Sequence, residues 1–296
     1  MRKNQEITWE ANNVTDLKGK KVVIVGGTGG IGRALSRSMA SKGANVTVVG
    51  RTFRDEDLKN IKFIKADLST MKEAKSVGKE INNEYLDVLI FTTGIFAAPK
   101  RQETEEGLER DLAVSYLNRL AILNEVLPSL DKSSSTSNSK PKVFIWGFPG
   151  TNQLGYVDDL NSMKIYEAMK AHMNTVAGNE ILVLYFANKY KNINFYGVNP
   201  GLIKTEIRSN FLGKESLKFK IIEFLIGLFT PSPDKYADKM LPLIFSKDLE
   251  KYTGVMFNRK RKAVVPSDGI DDEGYMQRFI DNSEELIQQA LNTKNE

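Results

Sequence analysis

The stretch 21-KVVIVGGTGGIG-32 decides the fold. Its first half is a short β-branched run without a polar break, the pattern of a strand buried on both faces of a parallel sheet. Its second half is a glycine turn. The turn opens directly into 31-IGRALSRSMASKG-43, which has helical spacing and a terminal glycine suited to a C-cap. Strand, glycine turn and helix in that order aim backbone N–H groups and a helix N-terminus at a pyrophosphate. Two glycine registers fit. Gly26, Gly30 and Gly32 follow G-x-x-x-G-x-G, and Gly27, Gly29 and Gly32 follow G-x-G-x-x-G. In either register the loop residues Gly26, Thr28, Gly29, Gly30, Ile31 and Gly32 are the expected dinucleotide contacts.

The alternation continues outward from this stretch. The runs 45-NVTVVG-50, 61-IKFIKADL-68, 87-DVLIFTTG-94, 142-KVFIWG-147 and 193-INFYGVNPG-201 read as further strands. Helical patterns separate them: a polar one over 71–84, a long one over about 105–127 stopped by Pro128, and one over 161–180. Strands alternating with helices of this length predict an α/β fold, a doubly wound parallel sheet of the Rossmann kind. With no long linker and no repeat, residues 1–296 are expected to form a single domain. Residues 1–18 read as a loose arm. The serine-rich 132-KSSSTSNSKP-141 reads as a mobile surface loop. Helices are expected over 214–229, 234–246 and 272–292, with a last strand at 252-YTGVMF-257.

Composition narrows the function. The 296 residues are 41% hydrophobic and 27% charged, with net charge +5. There is no cysteine, which excludes disulfides, cysteine nucleophiles and thiolate metal sites, and one histidine does not build a zinc site. No metal is expected. The N-terminus lacks an apolar signal region, and the longest apolar run, 221-IIEFLIGLF-229, is interrupted by Glu223 and short of the ~20 residues a membrane span needs. A cytoplasmic protein with no membrane span is the expectation. The cluster 259-RKRK-262 reads as a solvated loop, so no nucleic-acid partner is expected.

After the second strand, NAD-binding folds usually carry an acid for the ribose 2′-hydroxyl. Here 50-GRTFR-54 offers Arg51, which can pair with a 2′-phosphate, and Arg33 lies close behind the glycine loop. NADP is therefore favoured over NAD.

Several of these motifs together resemble the short-chain dehydrogenases/reductases, and within them the retinol-dehydrogenase-like branch. The resemblance runs from about residue 16 to 290. It rests on 16-DLKGKKVVIVGGTGGIG-32, on Asp67–Leu68, on 92-TTG-94 where the family usually has N-A-G, and on 199-NPGLIKTEI-207. It implies adenine contact at Asp67 and Leu68, and cofactor contact at Thr93 and Gly94. It also implies a turn beside the nicotinamide at Pro200 and Gly201, further cofactor contacts at Ile203 and Thr205, and pocket helices over 202–250. Homodimers through the fourth and fifth helices are a further implication.

The family's chemistry uses a tyrosine acid/base with a lysine four residues on, a serine after the fifth strand and an asparagine in the fourth helix. Tyr166 and Lys170 have that spacing and, on a helix, would share one face. The rest of the set departs from the family. Gly147 and Phe148 stand where the serine belongs, Thr151 is the nearest hydroxyl, and Ser115 stands where the asparagine belongs. A second register is open. Matching 159-DLNSMKIYEAMKAHMNTVAGN-179 to the retinol-dehydrogenase style puts His172 at the tyrosine position, Val176 at the lysine position and Asn179 on an asparagine of that branch. Six residues rotate a helix by about 240°, so Tyr166 and His172 cannot both face one cofactor.

The expected function is hydride transfer between a nicotinamide and a small-molecule carbonyl or alcohol. Phe96, Phe148, Phe211 and 218-KFKIIEFLIGLF-229 point to an apolar aldehyde or ketone. The rival is a dinucleotide-binding protein without turnover, serving as a redox sensor or scaffold.

Overall fold

A computed structural model of the chain describes residues 1–82, 85–135, 139–203, 216 and 230–293. The strands β1 (Lys21–Val25), β2 (Asn45–Gly50), β3 (Ile61–Lys65), β4 (Val88–Phe91), β5 (Lys142–Trp146), β6 (Asn194–Val198), β7 (Val255–Phe257) and β8 (Ala263–Val264) make one sheet. Their order is β3-β2-β1-β4-β5-β6-β7-β8. All neighbours pair in parallel except β7 and β8. The order reverses between β1 and β4, which opens a crevice at the carboxyl ends of those strands.

The helices are α1 (Gly30–Ser41), α2 (Met71–Ile81), α3 (Arg110–Leu112), α4 (Asn118–Ser134), α5 (Ala168–Lys189), α6 (Pro233–Ile244) and α7 (Glu273–Asn292). A π turn, Ala113–Leu117, joins α3 to α4 in one rod. The pleat sends alternate strand residues to opposite cores. Val23, Val25, Leu89 and Phe91 meet α2, α4, α5 and α7 on one side. Val22, Ile24, Val88 and Ile90 meet α1 and α6 on the other. Burial on both faces is why these strands read as unbroken apolar runs.

Three local expectations are corrected. Pro128 does not stop its helix: it lies inside α4, which continues to Ser134. A mid-helix proline costs about 3 kcal/mol. Leu127 and Leu130 on either side are buried, and each such burial returns roughly 1.5–3 kcal/mol. The serine-rich segment is therefore helical at Lys132–Ser134, while 136–138 lie outside the described residues. The N-terminal arm is tied down. The Asn4 N–H donates to the Ala263 carbonyl, Val265 donates to Arg2, and the Trp9 indole donates to Arg261. The pocket helix expected over 214–229, with Phe211 and Thr205, lies outside the described residues apart from Ser216. Among the described residues no helix is long and apolar enough to cross a membrane, and no group of acidic or histidine side chains is arranged to hold a metal.

The helix pair behind the crevice packs at close range. A Cβ on Gly178 of α5 would lie 2.6 Å from the Tyr116 ring. That ring is itself fixed by Phe279 and by its hydroxyl, which donates to Ser283 of α7. Gly178→Ala is expected to force the two helices apart and lower stability by about 1–3 kcal/mol, read as a fall in Tm on thermal unfolding. An unchanged Tm would show that the contact is not tight.

Candidate active site

The glycine turn draws on both registers, since a Cβ on Gly27 would lie 2.7 Å from Val48. Gly26 and Gly30 have positive φ values of 91° and 48°, where a side chain is strained. Gly32 has no room either, because a Cβ would run into the Gly26 carbonyl and the Thr92 hydroxyl. Gly29 opens onto free space and leaves the first turn of α1 without a side-chain cap or an acid. Gly26, Gly27, Gly30 and Gly32 therefore shape the turn, and the uncapped helix end faces outward with its N–H groups unspent. That cradle fits a dinucleotide pyrophosphate.

The end of β2 carries a charge cluster that reading the sequence missed. Asp55 is 2% exposed. Arg33 donates to it through Nε at 2.9 Å and Nη2 at 2.7 Å, and Arg37 through Nη1 at 2.5 Å. These hydrogen bonds, Arg33's first, hold the carboxylate below its ordinary pKa despite burial. The acid is thus neutralised by two cations. Arg51 is exposed and has no ion-pair partner among the described residues. Further along, Leu68 and Ile203 are buried in the cores, so only their backbones can face a ligand. Asp67 accepts from the Ser69 N–H and shapes the turn after β3.

Beyond the switch point the structure separates Tyr166 from Lys170. Helix α5 begins at Ala168, so Tyr166 precedes it and the expected shared face does not exist. The Tyr166 hydroxyl donates to the Ala98 carbonyl. Burial first, and then the carboxylates Glu109 and Asp111, push its pKa up to about 12. Lys170 points to solvent and pairs with Glu167 at 2.5 Å. Thr151 turns its hydroxyl back onto the Phe148 carbonyl at 2.9 Å, and no side chain replaces the serine at Gly147, which backs onto Asn179.

His172 is inside α5 and lies at the carboxyl end of β4. Its Nδ1 is 2.6 Å from Oδ2 of Asp111, a carboxylate with no exposure. Phe96, two residues after the Thr93–Gly94 turn, stacks on the imidazole at 4.1 Å between centroids. Ser115, at the expected asparagine position, donates to Asp111 Oδ1 at 2.5 Å and accepts from the Ile95 N–H at 3.0 Å. The Nε2 of His172 has no partner among the described residues. A carboxylate behind one imidazole nitrogen fixes the ring and leaves the other nitrogen for proton transfer. The π turn carries Ser115 into this position. The Asn118 side chain satisfies its loosened carbonyls by donating to Ala113 at 2.8 Å and Val114 at 2.5 Å.

Asp111 and the buried Arg119 were not legible as site residues, and Phe96, expected to line an apolar pocket, instead stacks on the histidine. The available signal was the four-residue spacing of Asp111, Ser115 and Arg119 within an apolar helical run. On α5, His172, Val176 and Asn179 make the facing row. Asn179 donates to the Ser115 carbonyl at 2.9 Å, so the two rows meet along their length.

Comparison with known proteins bears on the family and the fold. A family model described as short chain dehydrogenase matches residues 20–138. An uncharacterized oxidoreductase of Saccharomyces cerevisiae is 48% identical over 98% of this chain and 96% of its own. Retinol dehydrogenase 13 of Mus musculus is 24% identical over 93% of this chain and 86% of its own. Among solved structures, RhlG of Pseudomonas aeruginosa in an NADP complex superposes with a TM-score of 0.60 at 18% identity, covering 83% of this chain and 97% of that one. That last likeness speaks to fold alone.

Glu109 caps the start of this helix by accepting from the Leu112 N–H at 2.7 Å. Burial, reinforced by the field of Asp111, pushes its pKa up to about 7. An acid whose folded pKa is raised binds its proton more tightly in the native state. Its stabilising contribution is present below the unfolded value of 4.5 and is lost as pH rises through about 7. Glu109→Gln is expected to flatten the fall in stability between these two pH values, measured by denaturant unfolding. An identical pH profile in the variant would contradict the assignment.

Proposed function

The chain belongs to the short-chain dehydrogenase/reductase family of oxidoreductases, and we propose that within it this protein is a nicotinamide-dependent carbonyl reductase whose proton donor is His172. One observation carries the reading: a histidine at the carboxyl end of β4, held at Nδ1 by the buried Asp111 and stacked on Phe96.

When bound, the nicotinamide cofactor supplies the hydride. The remaining roles fall to side chains of this protein. Asp111 accepts from Nδ1–H, which orients the ring and favours the imidazolium that carries a second proton on Nε2, and Phe96 fixes the ring plane. His172 Nε2 gives a proton to the carbonyl oxygen as hydride reaches the carbonyl carbon, and the product is an alcohol. Imidazole is the side chain that titrates nearest neutral pH, so this needs no lysine to activate it. Tyr166 is a weaker choice, because its neighbours are carboxylates and they oppose ionisation of the phenol.

The uncapped N-terminus of α1 and the Gly26–Gly32 turn would hold the pyrophosphate. Arg51, with Asp55 already neutralised by Arg33 and Arg37, supports NADP over NAD. The segment between β5 and α5 exposes Phe148, Leu154, Tyr156, Met163 and Ile165, and the first turn of α5 adds Met169. Such a rim suits an apolar aldehyde or ketone. The second reading, dinucleotide binding without turnover, draws on Val176, a buried apolar residue one turn beyond His172.

The test is oxidation of NADPH and NADH against a panel of aliphatic and aromatic aldehydes and ketones. His172→Ala is expected to lower turnover by about 10²–10⁴-fold, and Tyr166→Phe is expected to leave it within a few-fold. Loss with Tyr166→Phe alone would overturn the assignment of the proton donor. Cofactor binding without turnover of any carbonyl would favour the second reading.

A further inference from the structure

Arg119 is 2% exposed and lies behind the crevice beyond the switch point. Its Nη1 donates to the Trp146 carbonyl at 2.6 Å and to Asn179 Oδ1 at 2.8 Å, and its Nη2 donates to the Thr93 carbonyl. Nε is buried without a partner. Every acceptor is neutral, and among the described residues no carboxylate lies within ion-pair reach. Burying a guanidinium without a counter-ion is costly. Burial pulls its pKa down to about 9, partly offset by the field of Asp111, so the group remains charged at neutral pH. Two of its acceptors are the carbonyl that ends β5 and that of Thr93, two residues beyond β4. Left bare, these would line the crevice floor with partial negative charge. With Arg119 in place, the floor carries a fixed positive charge instead.

In a doubly wound sheet the adenosine half of a dinucleotide lies over β1 and β2, and the nicotinamide half lies across the switch point. The reduced ring is neutral and the oxidised ring is a cation. A fixed positive charge on that side discriminates between them by Coulomb's law, and a buried one is little screened.

We propose that Arg119 is a positioning residue whose buried charge biases the crevice toward the reduced cofactor, so that the protein loads NADPH and releases NADP. This rests on the dinucleotide reading above and adds to it a preference between the two oxidation states of the cofactor in binding. The other charged groups near this row are Asp111, Glu109 and His172. Asp111 is engaged by Ser115 and His172, and Glu109 caps the helix start.

The test needs no substrate. Dissociation constants for NADPH and NADP are measured by fluorescence and calorimetry on wild type, Arg119→Lys and Arg119→Met, with Tm recorded for each. Wild type is expected to bind NADPH about fivefold or more tightly than NADP. Arg119→Met should bring that ratio toward one, whereas Arg119→Lys should keep it even if both affinities fall. A purely structural role would weaken both forms equally in both variants and leave the ratio unchanged. An unchanged ratio in Arg119→Met, a collapsed ratio in Arg119→Lys, or a wild type that prefers NADP overturns the proposal. If Arg119→Met does not fold, Arg119→Gln takes its place with the same expectation. If wild type binds neither nucleotide, the dinucleotide reading itself falls, and this inference with it.

Discussion

Charged side chains that fold into an interior must find partners there, and the helix pair behind β4 and β5 is organised by that demand. Asp111 has no exposure and Arg119 almost none. Neither belongs in a packed core without hydrogen bonds. The partners come from α5: His172 at one end of the row, Asn179 at the other, with Asn179 also holding the Ser115 carbonyl. The contact works only because Gly178 lets the Tyr116 ring approach and the π turn swings Ser115 toward Asp111. The orientation of His172 is therefore a consequence of satisfying buried charge between two helices.

The same constraint explains the departures from the family pattern. A tyrosine–lysine pair needs both side chains on one turn of helix beside the cofactor. Here the helix begins after Tyr166, and Lys170 is on its solvent face. The segment before α5 is held elsewhere, with the Asp159 carboxylate accepting from the N–H groups of Met163, Lys164 and Ile165. That turn delays the helix start and carries Tyr166 toward Ala98. At the end of β5, Gly147 leaves space against Asn179, and Arg119 bonds the strand-end carbonyl at Trp146.

At the opposite end of the crevice, charge is managed by neutralisation. Asp55 follows β2, where a free carboxylate would repel a phosphate, yet Arg33 and Arg37 take it up from α1. Arg51 is left as the uncommitted cation there. Glu180 plays a comparable structural part behind β5. Its buried carboxylate accepts from the Gly150 N–H and from the N–H and hydroxyl of Ser267, which ties together the loops after β5 and β8.

The sequence by itself determined the parallel strands of the sheet, the crevice and the glycine turn. Those rest on local rules: β-branched runs buried on two faces, helical spacing between them, and glycines where the backbone turns left-handed or two segments touch. It also left Tyr166 and His172 as rival candidates for a proton donor and went no further, because both rows of α5 are apolar and one-dimensional spacing cannot say where the helix starts. Tertiary structure alone decided the rest. That Pro128 stays within α4 depends on core burial around it, and that the N-terminal arm is pinned depends on β8. That Asp111 and Phe96 hold the histidine, and that Arg119 meets Asn179 seven residues further along α5, depends on α5 packing against a part of the chain about 60 residues earlier. Such meetings are set by which buried charges can be paired, a property of packing that no local pattern encodes.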